Sequence, residues 1–300
     1  MEVASDSRVA TGAKGESPLE LNAEEFRTEF PQRPFVINHN LASHPLFAVS
    51  RLLELSRALP ESCVEYNEGR IPANMGGRLS PRTGLSVEET IRRIEEAHSW
   101  MVLKFVEHDP EYRDLLDQCL NQIREFSEAV VPGMCNREAF IFLTSPDSVT
   151  PFHVDPEHNF LLQIRGRKQV SIFDPHDTAI VTEADIERGL FGKNRNLDYK
   201  PELQTRGKVF ELTPGTGLHF PIAAPHWVKN HGEVSISFSV TFRSRDSERR
   251  AAVRQFNSIL RERGFHPKPV GSSSVGDALK YFSHRAVRRT RHVFQHGKSA

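Results

Sequence analysis

The segment from residue 150 to residue 168, TPFHVDPEHNFLLQIRGRK, has the residue types and spacing of a metal site. His153 and Asp155 stand two positions apart, so on a β-strand both side chains point to one face. An imidazole and a carboxylate are two of the ligands of the 2-His-1-carboxylate facial triad, which binds non-heme Fe(II) and leaves coordination positions open. A second histidine, from elsewhere in the chain, must complete such a site.

His226 is the candidate for this third ligand. It follows a turn that is rich in Gly and Pro, and an alternating apolar strand comes after it. His219 and His231 compete for the role, but their positions, on the strand before the turn and in the turn that follows, favour structural or surface histidines. The predicted triad is therefore His153, Asp155 and His226.

Composition and charge narrow the class of protein. The chain has 300 residues, of which 38% are hydrophobic, enough for a substantial core. It contains no apolar run of membrane-spanning length and no secretory pattern at the N-terminus, so we expect a cytoplasmic protein without a membrane partner. Its cysteines, Cys63, Cys119 and Cys135, are too unevenly spaced for a disulfide framework or a zinc site and are interpreted as inert thiols.

The formal net charge is zero, but residues 246–300 contain 12 Lys and Arg against 4 Asp and Glu. A solvated helix face is the favoured interpretation, and nucleic acid is not an expected partner, because no aromatic residues interleave with the basic ones. Two helices are predicted here, over residues 246–264 and 276–293. Val253, Phe256 and Leu260 give the first an apolar face, which either the chain's own barrel or a second copy, in a homodimer, can cover.

The periodicity of the apolar residues predicts the fold class. Helical spacing alternates with short strands before residue 135, whereas from residue 139 the period becomes two, in short segments separated by Gly, Pro, Asp and Asn. This pattern predicts a mainly β protein with flanking helices, built on an antiparallel sandwich or small barrel. The expected divisions are a disordered tail (1–20), an N-terminal α/β segment (21–135), a β core (136–245) and a helical extension (246–300).

Strand parity places Lys168 inside the barrel. In KQVSIF it shares a face with Val170 and Ile172, so a cation points inward, which is unfavourable unless an anion meets it. The preceding RGR is predicted to be a hairpin turn, with Gly166 supplying the unusual backbone angle. In the last strand, residues 234–242, the row of Ser and Thr side chains is expected to line the cavity.

TPFHVDPEHNFLLQIRGRKQVSIFDP, with PxxxPHWVxN downstream, strongly resembles the Jumonji-C, cupin-like oxygenases that depend on Fe(II) and 2-oxoglutarate, in particular those that hydroxylate asparaginyl or arginyl residues. The resemblance covers residues 139–245. It implies a double-stranded β-helix (jelly-roll) core, and a reaction with O2 that releases succinate and CO2. It implies that the triad binds iron, that Lys168 and Thr150 bind the distal carboxylate of 2-oxoglutarate, and that Asn159 lies near the cosubstrate.

Two features refine the resemblance. The carboxylate ligand is Asp155, where histone lysine demethylases commonly have Glu, and this favours hydroxylation. Thr241 stands where the asparaginyl hydroxylases have an amide, so its contact with the cosubstrate is expected to differ. His158, beside Asn159, is expected either to contact substrate or to cover the site.

Three functions remain open at this point. The first is a hydroxylase acting on a protein side chain or a small metabolite. The second is a non-catalytic cupin-like protein that binds a metal or ligand, or regulates, and the third is a cupin that uses another divalent metal. The complete triad together with Lys168 favours the first, because neither alternative needs both. The residues do not identify the substrate, the oligomeric state or the pathway.

Overall fold

The computed structural model describes residues 17–75, 78–192 and 195–296. Within these ranges the chain forms an eight-stranded and a four-stranded antiparallel sheet, with helices before, between and after the strands. The strands are β1 (Leu19–Glu20), β2 (Val36–His39), β3 (Val64–Glu68), β4 (Ser99–Lys104), β5 (Met134–Thr144), β6 (Val149–His153), β7 (His158–Arg165), β8 (Lys168–Ile172), β9 (Lys208–Leu212), β10 (Thr216–Phe220), β11 (His226–Asn230) and β12 (Ser235–Ser244). The α-helices are α1 (Ala23–Glu29), α2 (Val49–Ala58), α3 (Val87–Arg92), α4 (Pro110–Ser127), α5 (Glu183–Phe191), α6 (Arg245–Arg261) and α7 (Ser274–His296).

The large sheet has the strand order β1-β2-β10-β7-β12-β5-β4-β3, and the small sheet has the order β6-β11-β8-β9. Strands that follow each other in sequence, such as β7 and β8, therefore lie in different sheets. The predicted mainly β architecture with flanking helices is confirmed. The sheets enclose a cavity between them, because residues of both line it.

The predicted hairpin at residues 165–167 is wrong. β7 pairs with β10 and β12, whereas β8 pairs with β11 and β9, so this turn carries the chain from one sheet to the other. The backbone requirement was correct, since Gly166 has φ of +73°. An added Cβ there would lie 2.3 Å from the carbonyl oxygen of Val234, so the turn also needs glycine for space.

The alternation in β12 separates the core from the cavity. Ile236, Phe238, Val240 and Phe242 pack into the main hydrophobic core, together with side chains of α1, α2 and α4. Of the hydroxyl row on the opposite face, Ser239 and Thr241 line the cavity, as the sequence predicted, whereas Ser235 and Ser237 do not. The helices of the N-terminal segment thus cover the outer face of the large sheet and leave its inner face to the site.

The N-terminal segment is part of the large sheet, which β3 and β4 extend beyond β5. Of the expected disordered tail, residues 1–16 lie outside the described residues. Its end is ordered, because Leu19 is buried and Leu19–Glu20 pairs with β2. Ser86 caps α3 in a capping box with Glu89, and the helix ends at Arg92.

The C-terminal helices form as predicted, and α6 packs against α5 and β12 of its own chain. Val253 of α6 is fully buried there. Two ion pairs connect α6 to α5: Arg254 pairs with Glu183, and Arg261 pairs with Glu187. No helix within the described ranges is long and apolar enough to cross a membrane.

Candidate metal centre and its cavity

His153, Asp155 and His226 converge in space as the sequence predicted. One potential ligand atom from each lies within 4.8 Å of the others. The Nε2 atoms of His153 and His226 are 3.7 Å and 3.6 Å from Oδ2 of Asp155. Two imidazoles and one carboxylate on one side of a cavity form the donor set of a facial triad. The residues therefore fit an Fe(II) ion.

The strands position the ligands differently from the prediction. β6 ends at His153, so Asp155 lies beyond the strand rather than on it; Pro156 follows and has no N–H for a sheet ladder. The backbone carbonyl of Asp155 instead accepts from the amide of Ala223 in the turn before β11. His226 is the first residue of β11 and pairs directly with His153 across the ladder.

Backbone carbonyls fix both imidazoles in the tautomer that binds a metal. Nδ1 of His153 lies 2.7 Å from the carbonyl oxygen of Pro151, and Nδ1 of His226 lies 2.9 Å from that of Ala224. Because a carbonyl oxygen only accepts, each Nδ1 must carry the hydrogen. The lone pair of each Nε2 is therefore directed to the site.

Electrostatics keep the ligands in the required protonation states. Burial lowers the pKa of His226 to about 4, so this imidazole is neutral near pH 7. Burial works against the charge of Asp155, but electrostatic interactions with His153, His226 and Arg195 hold its pKa below the ordinary value. Arg195 lies 3.8 Å from the free oxygen of Asp155 and is the outer partner that the sequence did not identify.

Lys168 lies in the same cavity, which has a volume of about 530 Å³. Its side chain is only 4% exposed, and Val170 and Ile172 on the same face are also buried, so the predicted inward orientation is confirmed. Burial lowers the pKa of Lys168 to about 7. Within the described part of the chain no carboxylate pairs with its ammonium, so the cavity is built to receive an anion at this end.

Two polar residues of the cavity, Thr150 and Asn230, are fixed by hydrogen bonds to neighbouring side chains. The indole of Trp100 donates to the Thr150 hydroxyl at 2.8 Å, and the amide of Asn230 donates to the Thr144 hydroxyl at 2.6 Å. All four line the cavity. Thr150 was predicted here, whereas Trp100 and Asn230 were not. Asn230 is the last residue of the PHWVxN motif, and it pairs with Lys168 across β11 and β8. Its position in that motif is the sequence signal that could have identified Asn230.

Asn159 and Thr241 also reach the cavity. The amide oxygen of Asn159 accepts from the Ser239 hydroxyl at 2.7 Å, while the Thr241 hydroxyl donates to the backbone carbonyl of Glu138 at 3.1 Å. Thr241 therefore donates its single hydroxyl hydrogen to the backbone. An amide side chain at this position has two donor hydrogens, so it would keep one for another partner. The two residues pair across β7 and β12.

The sequence analysis missed the charged residues of the cavity. Glu157 lies two positions after Asp155 and forms an ion pair of 2.6 Å with Arg243, which also pairs with Glu248 of α6. Burial raises the pKa of Glu157 to about 7. Glu138 lines the same region. Glu138 lies in β5, Arg243 lies in β12 and Glu157 directly precedes β7, and the pairing of these strands brings the three together.

The remaining histidines have structural positions. His158 is not among the residues that line this cavity; it lies on the core face of β7, with its ring 5.0 Å from that of Phe242. It therefore neither faces the cavity nor covers it, and both alternatives expected for it are wrong. Burial lowers its pKa to about 4. His219 is buried against Phe35, and His231 pairs with Glu211 at the surface, as their positions in sequence suggested.

Comparison with known proteins now gives the family. A profile described as the cupin-like domain matches residues 61–260, two thirds of the chain. This chain belongs to the cupin-like domain family. The matched range contains the whole triad, Lys168 and most of both sheets, so the cupin-like core that the resemblance implied is confirmed.

Individual relatives are similar over shorter ranges. JmjC domain-containing protein D of Dictyostelium discoideum is 31% identical over 100 residues, which are 28% of this chain and 22% of that protein. Lysine-specific demethylase 8 of Danio rerio is 30% identical over 108 residues, 32% of this chain and 24% of that protein. The chain thus matches about a quarter of the length of these relatives. The ycfD structure from E. coli superimposes with a TM-score of 0.51 at 17% identity, covering 89% of this chain and 67% of that one, and shows a shared fold.

Proposed function

We propose that this protein is an Fe(II)- and 2-oxoglutarate-dependent oxygenase that hydroxylates a protein side chain or a small metabolite. One observation carries the proposal: a single cavity holds a complete His-Asp-His donor set and a buried lysine without a carboxylate partner among the described residues. The first is a site for a metal, and the second is a site for an anion. 2-Oxoglutarate has both a metal-chelating keto acid and a distal carboxylate.

The chain's residues then have distinct roles. His153, Asp155 and His226 hold the metal, and Lys168 and Thr150 receive the distal carboxylate. Asn159 and Thr241 border the cosubstrate from the inner face of the large sheet. Lys168 is almost fully buried, and this low exposure to water strengthens the attraction between its ammonium and the anion.

When bound, Fe(II) supplies the activation of O2. One oxygen atom enters a substrate C–H bond as a hydroxyl, and the other enters the succinate that forms when 2-oxoglutarate loses CO2. The protein contributes fixed ligand geometry, an anchored cosubstrate and a defined position for the substrate carbon. No side chain is required as a general base.

Hydroxylation is proposed over demethylation because the carboxylate ligand is Asp155. Hydroxylation of a carbon that is not bonded to nitrogen leaves the hydroxyl in place, whereas hydroxylation of an N-methyl carbon releases that carbon as formaldehyde, so the product mass distinguishes the two outcomes. The E. coli protein of similar fold is a ribosomal oxygenase that has been seen with cobalt and 2-oxoglutarate, which is a fact about that protein. Here the assignment rests on this chain's own residues.

The test is anaerobic titration with Fe(II) and 2-oxoglutarate, followed by O2 and measurement of succinate. His153→Ala and Lys168→Ala are the informative variants. His231→Ala and Lys229→Ala are matched controls, since both residues lie at the end of β11 outside the cavity. We expect succinate from the wild-type protein and both controls, and none above background from His153→Ala or Lys168→Ala.

The competing function is a non-catalytic cupin-like protein that binds a metal or ligand. It predicts metal binding with no chelate absorption band on adding 2-oxoglutarate and no succinate. That result would reject the oxygenase. A cupin with a different divalent metal predicts turnover of another substrate that is insensitive to the Lys168→Ala change.

A further inference from the structure

The cavity carries excess negative charge away from Lys168. Four glutamates line it, which we call the acidic wall: Glu65, Glu68, Glu138 and Glu157. Two of them are neutralised by cations of the same cavity. Lys104 forms an ion pair with Glu65, and Arg243 forms one with Glu157.

Glu138 differs from these two because its carboxylate has no partner among the described residues, neither a cation within ion-pair distance nor a hydrogen-bond donor. It is half-buried, and burial is the main reason that its pKa is raised above the ordinary value. Arg243 is the main cation that acts on it, from a distance, and is already bonded to Glu157 and Glu248. A half-buried anion without a partner is unfavourable unless a bound molecule supplies a cation that pairs with it.

The sheet places Glu138 beside the reaction centre. Glu138, Thr241 and Asn159 pair in one row across β5, β12 and β7. Two strand spacings separate the backbones of Glu138 and Asn159, roughly 10 Å. Asn159 follows the ligand Asp155 by four residues. Glu138 and the three metal ligands line one cavity, so a substrate bound at Glu138 shares that cavity with the metal centre.

The surface next to Glu138 suits a cation on an apolar stem. Phe140 follows on the same face of β5, and its ring lies 5.5 Å from that of Phe105; both rings line the cavity. Aromatic faces pack against methylene groups and attract cations. Lys168, the buried cation, lies at the end assigned to the cosubstrate, so it does not compete for Glu138.

We propose that Glu138 is a specificity-determining residue that binds an ammonium or guanidinium group of the substrate while a carbon of the same molecule lies at the metal. This inference rests on the proposed oxygenase function. It selects cationic substrates over neutral ones of the same shape. A carboxylate-bearing substrate would meet repulsion from the acidic wall.

The test uses matched probes that differ in charge. N-acetylarginine amide is compared with N-acetylcitrulline amide, and N-acetyllysine amide with N-acetylnorleucine amide. Binding to the wild-type protein loaded with Mn(II) and 2-oxoglutarate is measured by calorimetry. We expect at least one cationic probe to bind about tenfold more tightly than its neutral partner, the effect of one charge-assisted hydrogen bond.

Glu138→Gln should abolish this preference, and Glu138→Asp should keep part of it, because only the second retains the charge. Glu125→Gln, on the exposed face of α4, is the control and should behave as wild type. Thermal unfolding of each variant shows whether the fold is intact. Equal binding of charged and neutral probes, no binding of either cationic probe, or a preference that persists in folded Glu138→Gln would each overturn the inference.

The two proposals fail separately. Succinate that depends on His153 and Lys168, without any preference for cations, retains the oxygenase and rejects the role of Glu138. A preference for cations that depends on Glu138, without succinate, retains Glu138 as a cation-binding residue and rejects the oxygenase.

Discussion

At the scale of single residues, Lys168 shows most clearly how function and stability oppose each other. It lies buried in a cavity that Leu161 and Val228 also line, and burial lowers its pKa from 10.5 to about 7. Folding without an anion therefore removes a charge from water and gains no ion pair. A residue selected only for stability at this position would be apolar.

Lys168→Met should stabilise the protein in the absence of 2-oxoglutarate. We expect the free energy of unfolding to rise by about 1–3 kcal/mol, the usual penalty for an unpaired buried polar group. The folded pKa lies below the unfolded one, so the lysine's penalty is full below pH 7 and shrinks as the pH rises from about 7 towards 10.5. Urea unfolding at pH 6 and pH 9 measures both effects. A loss of stability at pH 6 would contradict the prediction.

Binding of 2-oxoglutarate should take up a proton above pH 7. The ligand-free ammonium loses its proton as the pH rises through about 7, whereas the distal carboxylate requires the charged form. Affinity should therefore be nearly constant just below pH 7 and fall up to about tenfold per pH unit above it. Calorimetry of the Mn(II)-loaded protein at pH 8, in buffers of different ionisation enthalpy, measures the uptake. Lys168→Arg stays charged and should show none.

At the scale of elements, the site depends on turns that carry the chain between the sheets. The β7–β8 turn delivers Lys168 two residues after Gly166, and the β10–β11 turn delivers His226. In both, the backbone is constrained, because Gly166 and Ala223 have positive φ. The strands supply the direction of each side chain, whereas the turns decide which sheet it comes from.

Gly166→Ala should destabilise the protein by about 2–4 kcal/mol, since it adds a close contact with the Val234 carbonyl to the strain of positive φ. Gly84→Ala is the matched control. It has φ of +76° but nothing within 4 Å of an added Cβ, so only about 1 kcal/mol of strain is expected. Thermal or urea unfolding compares them. Equal losses would show that the turn is not tightly enclosed.

At the scale of the whole molecule, ion pairs join the C-terminal extension to the β core. Arg243 connects Glu248 of α6 to Glu157 in the cavity, and Glu187 of α5, only 1% exposed, pairs with Arg261. Asn257 donates to the same carboxylate at 2.9 Å. The extension therefore supplies hydrogen-bond and ion-pair partners for charged side chains of the β core.

Arg261→Met should destabilise the protein by about 1–3 kcal/mol, because it leaves the buried Glu187 with only the amide of Asn257. The double variant Glu187→Met/Arg261→Met should lose less than the single one, since no unpaired charge remains. Urea unfolding of the four proteins measures the coupling. Additive losses would show that the pair contributes nothing.

Dimerisation through the C-terminal helices stays a prediction. α6 is covered by its own chain, but Val275, Leu279 and Phe282 of α7 are 64–80% exposed and lie on one helical face. Sedimentation equilibrium of the wild-type protein and Phe282→Ser tests it. A dimer that the substitution dissociates is expected, and a wild-type protein that is monomeric at all concentrations would refute it.

The sequence by itself determined the chemistry. His153, Asp155, His226 and Lys168 were identifiable because each stands at a fixed offset in short segments, and strand parity is a local property that needs no knowledge of partners. The same parity separated the core face of β12 from its hydroxyl face. Gly166 was recognised because a required backbone angle is also local.

The tertiary structure decided which distant residues meet. The hairpin at residues 165–167 failed because strand pairing is chosen by packing between sheets, which a turn sequence does not encode. For the same reason His158 falls on the core face of β7, and Glu138, whose strand is separated from β7 in sequence, comes to lie in one row with Asn159. The candidate metal ligands belong to local patterns, whereas the charged residues that line the cavity around them are brought together only by long-range pairing.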